Sequence, residues 1–334
     1  MLPDWAPNAH PLIVHFPIAI FIVAVVVDAA LLLARRSDRM SAALYGIAAL
    51  GAVAAYLSGR AAVDGMIVPA HAVADVNSHS DWGLRTAWFI GIYAAVRLGL
   101  SFTFRSFKMV VRAPLFLISL VGVLFVAVTS DRGGRLVYEH GLGTSVAAVD
   151  MTEPPAQVNS GERLTGTWSW SPASGLATLI ANASVYPADA WIGIEFVDGQ
   201  EALVVRGPAT LLVGDTTDGV QVDARISTAE AGRIMILHNA VDERTYHYVA
   251  VDEDLVASQG AVRSGTVSRM ASGSYPDTGW HNVRVVAEGT HFHAYIDGTR
   301  VTHGHGAAAP PGRAGLRVES GELRVASLGV TLIE

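Results

Sequence analysis

The stretch "NAHPLIVHFPIAIFIVAVVVDAALLLARR", residues 8–36, decides how the first part of the chain is read. A bilayer core takes roughly 20 apolar residues in one helix, and from Leu12 to Ala34 the only charge is Asp28. It reads as a membrane span with His10 and His15 at one mouth and Arg35 and Arg36 at the other. Three more apolar segments follow, Ser41 to Leu57, Leu84 to Phe104 and Ala113 to Ser130. The second and fourth are near the lower limit of length and should stand upright. Ala42 and Gly46, Ala48 and Ala52, and Gly51 and Ala55 are small residues spaced four apart, which predicts close packing of the second helix and a central place for it.

Arg35, Arg36 and Arg39 follow the first span, and Arg105, Lys108 and Arg112 separate the third from the fourth. The side that collects basic loops is cytoplasmic. The N-terminus, the segment from about Ser58 to Gly83 and everything after Ser130 therefore belong to the other side. The residues before Leu12 lack the basic region of a secretory signal, so the first span is expected to be retained. Asp28 and Arg97 are ionisable residues well inside spans, where an isolated charge is costly, and they are expected to form an intramembrane ion pair.

Cysteine is absent, which excludes disulfides, thiolate metal sites and cysteine nucleophiles. The net charge of -7 argues against a nucleic-acid partner, which calls for a basic face.

None of the 12 histidines falls in an expected cytoplasmic loop. His10 and His15 lie at the outer mouth of the first span, His71 and His79 in the outer segment, and His140 beyond the fourth span. Imidazole ligates haem iron and transition metals and titrates near neutrality. His10, His15, His79 and His140 are thus candidates for a haem b, metal or quinol site. The competing reading, which the sequence favours, makes them headgroup-level anchors beside an aromatic belt of Trp5, Trp82 and Trp88, with no cofactor. Gly133 and Gly134 permit a sharp turn that would lay Leu136, Val137 and Tyr138 over the bundle mouth as a lid.

"HPLIVHFPIA" (10–19) with Asp28, "SGRAAVDG" (58–65), "HSDWG" (79–83) and "DRGGRLVYEHGLGT" (131–144) together resemble a family of four-helix bacterial membrane proteins catalogued as a domain of unknown function. The resemblance spans about residues 8–146. His10, His15, His79 and His140 match family histidines, and the resemblance does not place His71. The family's occurrence near electron-transfer proteins and cytochrome c-like segments implies a redox setting; the chain itself has no CxxCH motif for covalent haem.

From about Glu153 the pattern changes to short runs rich in Val, Thr, Trp and Tyr between Gly, Asp, Asn and Pro, which predicts an antiparallel β-sandwich. The fold class is therefore multidomain, α plus all-β: a four-helix transmembrane bundle (1–150), a linker (151–162) and an extracytoplasmic sandwich (163–334). "GWHNVRVVAEGTHFHAYIDGTRV" (279–301) and "PGRAGLRVES" (311–320) are similar to the last strands of concanavalin-like jelly-roll sandwiches, which include laminin-G modules and glycosidase-like domains. That resemblance covers about residues 190–334 and implies fold, not function. The ExDxxE carboxylates of such glycosidases are absent, and "VDEDL" (251–255) reads as a turn. Trp168, Trp170, Trp191 and Trp280 could stack on sugar rings but read first as core.

His291 and His293 share one face of a strand. Asp297 and Gly298 favour a two-residue hairpin turn, pairing Ile296 with Thr299 and so Phe292 with His303. This register turns His303 to the opposite face, and no metal site is expected.

Nothing supplies a nucleophile with its base, a phosphate loop or a carboxylate pair. The expectation is a non-enzymatic accessory subunit of a membrane electron-transfer complex, respiratory or photosynthetic, in the bacterial inner membrane. Its partners would be other membrane subunits and the lipid bilayer, with the sandwich docking on the outer face. The alternatives are a haem b, metal or quinol protein and a membrane-tethered carbohydrate-binding module whose ligand is a glycan.

Overall fold

A computed structural model describes residues 9–64, 66, 68–103, 109–143 and 158–333. The chain divides into two compact units: residues 1–68 with 74–149, and residues 150–334 with the short stretch 69–73.

Among its described residues the first unit holds four helices: α1 (His10–Leu33), α2 (Arg39–Asp64), α3 (Val73–Thr103) and α4 (Met109–Tyr138). All four are long and apolar enough to cross a membrane. They exceed the predicted spans: α2 and α4 have 26 and 30 residues, so neither is short. Most of the outer segment expected between the second and third spans is helical, in the last turns of α2 and the first of α3. Hydropathy marks only the lipid-facing length of a helix, whereas backbone hydrogen bonding continues past it into polar sequence.

The predicted glycine turn is corrected by the structure. α4 runs unbroken through Gly133 and Gly134 to Tyr138, whose side chain is 90% exposed, so no lid forms from Leu136 to Tyr138. The chain turns later, at Gly141 and Gly143, both with positive φ. Gly133 serves a different purpose: a Cβ there would lie 2.9 Å from Cε1 of His79 on α3.

Side-chain contacts arrange the helices as a ring. Pro17 of α1 fills the space beside Gly51 of α2, and Leu98 of α3 lies against Gly46. Thr86 of α3 and Thr129 of α4 share a hydrogen bond of 2.7 Å, and Phe21 of α1 seats on Gly122 of α4. Each helix thus has two flanking neighbours, and α2 is not the centre that its small residues suggested. The middle is filled by Phe21, Tyr45, Ile90, Tyr93 and small side chains such as Ala24, Ala48 and Ala94. Outward stand Val26, Leu50, Trp88, Leu117 and Leu124, all more than half exposed, as a lipid-facing surface requires. Of the predicted belt, Trp5 lies outside the described residues, and Trp82 packs beneath the guanidinium groups of Arg85 and Arg132.

Among the described residues the second unit carries 14 strands, all paired antiparallel. In chain order they are β1 (Trp168–Trp170), β2 (Ala183–Tyr186), β3 (Ile192–Val197), β4 (Gln200–Arg206), β5 (Ala209–Thr217), β6 (Gly219–Ser227), β7 (Ala231–Asp242), β8 (Thr245–Asp252), β9 (Val256–Arg263), β10 (Thr266–Ser274), β11 (Trp280–Glu288), β12 (His291–Ile296), β13 (Thr299–His305) and β14 (Gly312–Ile333). β14 belongs to both layers. Its first part, Gly312 to Gly321, pairs with β5 and β7; its second, from Glu322, pairs with β4, β6 and β1. Gly321 makes the crossing possible: at φ 82° its missing Cβ would fall 2.5 Å from the Glu230 carbonyl.

One layer runs β3-β4-β14-β6-β11-β12-β13 and the other β2-β5-β14-β7-β8-β9-β10. Between them lies a core to which alternate residues of both layers contribute, among them Val222, Val285 and Phe292 from one and Leu211, Ile236 and Val249 from the other. This is the period-2 pattern of a sandwich. Residues 151–157 of the predicted linker lie outside the described residues. Val158 already donates its N–H to Ser169 at 3.0 Å and packs on the core, so the sandwich begins before residue 163. "VDEDL" forms the β8–β9 turn, with Asp252 Oδ1 accepting the Val256 N–H.

Candidate functional site

Two constellations carry chemistry, one in each unit. In the bundle, Asp28 and Arg97 lie 2% and 1% exposed and form a bidentate ion pair, both N···O distances 2.7 Å. The pair crosses the ring from α1 to α3. Ser41 Oγ of α2 donates to Asp28 Oδ1 at 2.9 Å, Arg97 donates to Tyr93 Oη at 3.1 Å, and Asp38 stands 3.6 Å from the guanidinium. Tyr45 offers its ring face to the same cation at 5.3 Å. Both oxygens of Asp28 and both terminal nitrogens of Arg97 are therefore engaged inside the protein, the condition for holding charges in a low-dielectric core.

The four histidines near the opposite ends of the helices take separate hydrogen-bond partners, and His10 and His79 are close enough to act on each other electrostatically. His10 Nδ1 lies 3.0 Å from the Ala55 carbonyl and 3.1 Å from Ser58 Oγ, joining α1 to α2. His79 Nδ1 meets the Thr129 carbonyl at 3.1 Å, and His140 Nε2 meets Asp75 Oδ2 at 2.7 Å, joining α3 to the chain of α4. His15 Nδ1 contacts the Pro11 carbonyl of its own helix at 2.9 Å and is exposed. Among the described residues, no metal-sized group of three ligands includes any of the four. His10, His79 and His140 each tie one helix to another, whereas His15 contacts only its own; His71 lies on the 3-10 turn Ala70–Ala72.

The sandwich reverses the second expectation. Asp297 and Gly298 do form the two-residue turn, with φ 48° and 80°, and Ile296 does pair with Thr299. Beyond Tyr295–Arg300 a β-bulge intervenes, and Ala294 pairs with Thr302 rather than Val301. Val301 packs on the hydrophobic core, and Thr302 is also buried, donating to Gln259 Oε1 at 3.0 Å. Two successive residues thus face inward, and every later residue of β13 changes face. His303 stands directly opposite His293, and His305 opposite His291.

The predicted register is therefore corrected. Nitrogen atoms of His291, His293 and His303 lie within 4.8 Å of one another. The ring centroids of His293 and His303 are 4.4 Å apart, those of His303 and His305 4.5 Å, and those of His291 and His305 4.8 Å. His293 is 7% exposed, and its Nδ1 has no hydrogen-bond partner. Burial lowers its pKa to about 3, and the neighbouring His303, Arg300, His291 and His305 push the same way. The ring is neutral at physiological pH, the state in which imidazole donates a lone pair. Sequence reasoning passed over His305, although "HFH" (291–293) and "HGH" (303–305) mirror each other across the hairpin.

The other candidates resolve simply. Trp168 and Trp170 are buried in the core, Trp191 lies under the Arg206 guanidinium at 3.8 Å, and Trp280 donates to Asp198 Oδ2 at 3.1 Å.

Residues 6–146 match the family model described as "Predicted membrane protein (DUF2231)". The matched segment spans the four-helix unit. No curated protein matches the chain. Among solved structures, the sandwich is similar to the carbohydrate-binding module CBM66 from Bacillus subtilis, at 16% identity and TM-score 0.38 over 44% of this chain and 94% of that one. It is also similar to a galectin-like protein of unknown function from Bacillus subtilis, at 11% identity and TM-score 0.38 over 53% and 97%. A Bacillus licheniformis beta-glucanase matches at 9% identity and TM-score 0.38 over 50% and 98%.

Proposed function

We propose that the chain is a non-enzymatic accessory or scaffolding subunit of a larger membrane complex, its helices anchoring a sandwich that docks on a partner outside the cytoplasm. The observation that carries this reading is the set of polar contacts that tie the helices of the bundle to one another. Asp28 and Arg97 form a bidentate pair that links α1 to α3, and His10, His79 and His140 tie helix ends together. Such a bundle is built to hold its shape rather than to pass protons or electrons. The basic loops support an orientation with the sandwich outside the cytoplasm. The narrower reading, an electron-transfer complex of respiratory or photosynthetic type, rests on the redox setting of the family the helical part resembles.

Mild detergent extraction of native membranes, followed by subunit identification and a visible spectrum, tests the reading. The chain should co-purify with integral membrane subunits at fixed stoichiometry, and the isolated chain should show no Soret band. A chain that always migrates alone overturns the proposal, and a stoichiometric haem replaces it with the redox alternative.

A further inference from the structure

We propose that the face of β12 and β13 directed away from the core is a binding site for a divalent transition-metal ion, held by His291, His293 and His303. The inference stands independently of the accessory role. His291 and His293 are two apart on one strand, and His303 is the cross-strand partner of His293, so backbone geometry places all three on one face. Their donor atoms already lie within 4.8 Å of one another. Three nitrogens on a tetrahedral ion at roughly 2.0–2.1 Å would be about 3.3 Å apart, a closure that side-chain rotation supplies.

A second observation points the same way. His293 is more than nine-tenths buried, and its Nδ1 has no hydrogen-bond partner. A buried polar nitrogen left without a partner is unfavourable, and ligation would satisfy it. Around the site, Glu288 on β11 is the ladder partner of His291, Arg300 lies across from Tyr295, and His305 across from His291. Glu288 supplies nearby negative charge, Arg300 opposes it, and His305 adds a further imidazole at the rim. Three imidazoles without a thiolate suit Zn2+ or Cu2+ and leave a coordination position for water.

The test uses the full chain in detergent, produced without a polyhistidine tag and stripped with a chelator. Zinc retained through gel filtration is quantified by elemental analysis, and affinity is measured by competition with a chromophoric chelator. The expected result is about one ion per chain, with affinity falling roughly 100-fold or more in His303→Gln and His291→Gln. Both rings are only partly buried, so these variants should keep the wild-type circular dichroism; His15→Gln, on α1, should bind as wild type. Co2+ in place of zinc should give the intense visible bands of a four-coordinate site, lost in His303→Gln. Sub-stoichiometric retention, or unchanged affinity in both hairpin variants with the fold intact, overturns the proposal and marks any zinc as adventitious.

Discussion

Asp28 and Arg97 show how much a single residue can reveal. A charge inside an apolar run is costly enough that a partner is demanded, and the two such residues find each other across the bundle at 2.7 Å. Their supporting contacts from Ser41 and Tyr93 were not legible, because Ser and Tyr occur in membrane helices for many reasons. Removing one member should strand the other: Arg97→Met is expected to lose about 3–5 kcal/mol of stability. The double variant Asp28→Leu/Arg97→Met, which leaves no buried charge, should recover most of it. Thermal unfolding in a fixed detergent measures both, and equal losses in the single and double variants would contradict the pair's dependence on mutual neutralisation.

Elements separate propensity from packing. Gly133 and Gly134 are adjacent and equally permissive, yet both lie within α4, and only Gly133 faces another helix. Gly133→Ala should displace the His79 ring from the Thr129 carbonyl, costing about 1 kcal/mol for that hydrogen bond. Gly134→Ala, with nothing within 4 Å of the new Cβ, should instead gain up to about 1 kcal/mol from helix propensity. Gly133→Ala gains the same propensity, so the check is the difference: chemical unfolding should place Gly134→Ala about 1 kcal/mol above Gly133→Ala. The β12–β13 hairpin carries a similar lesson. Its turn was readable because Asp-Gly suits positive φ at both positions, but the bulge at Val301 has no such local mark. It arises because Val301 and Thr302 both find places inside, one on the core and one on Gln259.

For the whole molecule, two measurements follow. His238 and His247, beside Phe292 at 5.9 and 5.1 Å between centroids, have pKa values lowered to about 3 and about 4, in both cases chiefly by burial. The unfolded chain takes up protons near pH 6.5 that the folded chain refuses, so their contribution to stability is fully present above about 6.5 and declines as pH falls. Each group accounts for at most about 1.4 kcal/mol per pH unit. The unfolding midpoint of the chelator-treated chain should drop between about pH 7 and about pH 5, and His247→Gln should flatten the dependence. The absence of cysteine makes orientation accessible: Ser37→Cys, between α1 and α2, should be shielded from a membrane-impermeant maleimide applied from outside the inner membrane. Glu201→Cys, exposed on β4, should react. The reverse pattern would remove the proposed docking face.

Composition and periodicity alone determined that this chain pairs an apolar helical part with a strand-rich part, because both signals are repeated over many residues and errors average out. They also marked Asp28 and Arg97, whose desolvation is a local and large penalty. Helix ends, the ring arrangement and the gathering of His291, His293 and His303 were decided only by tertiary packing. In a strand a displacement of one residue reverses every following side chain, and whether Val301 adds that residue depends on a core assembled from the opposite layer.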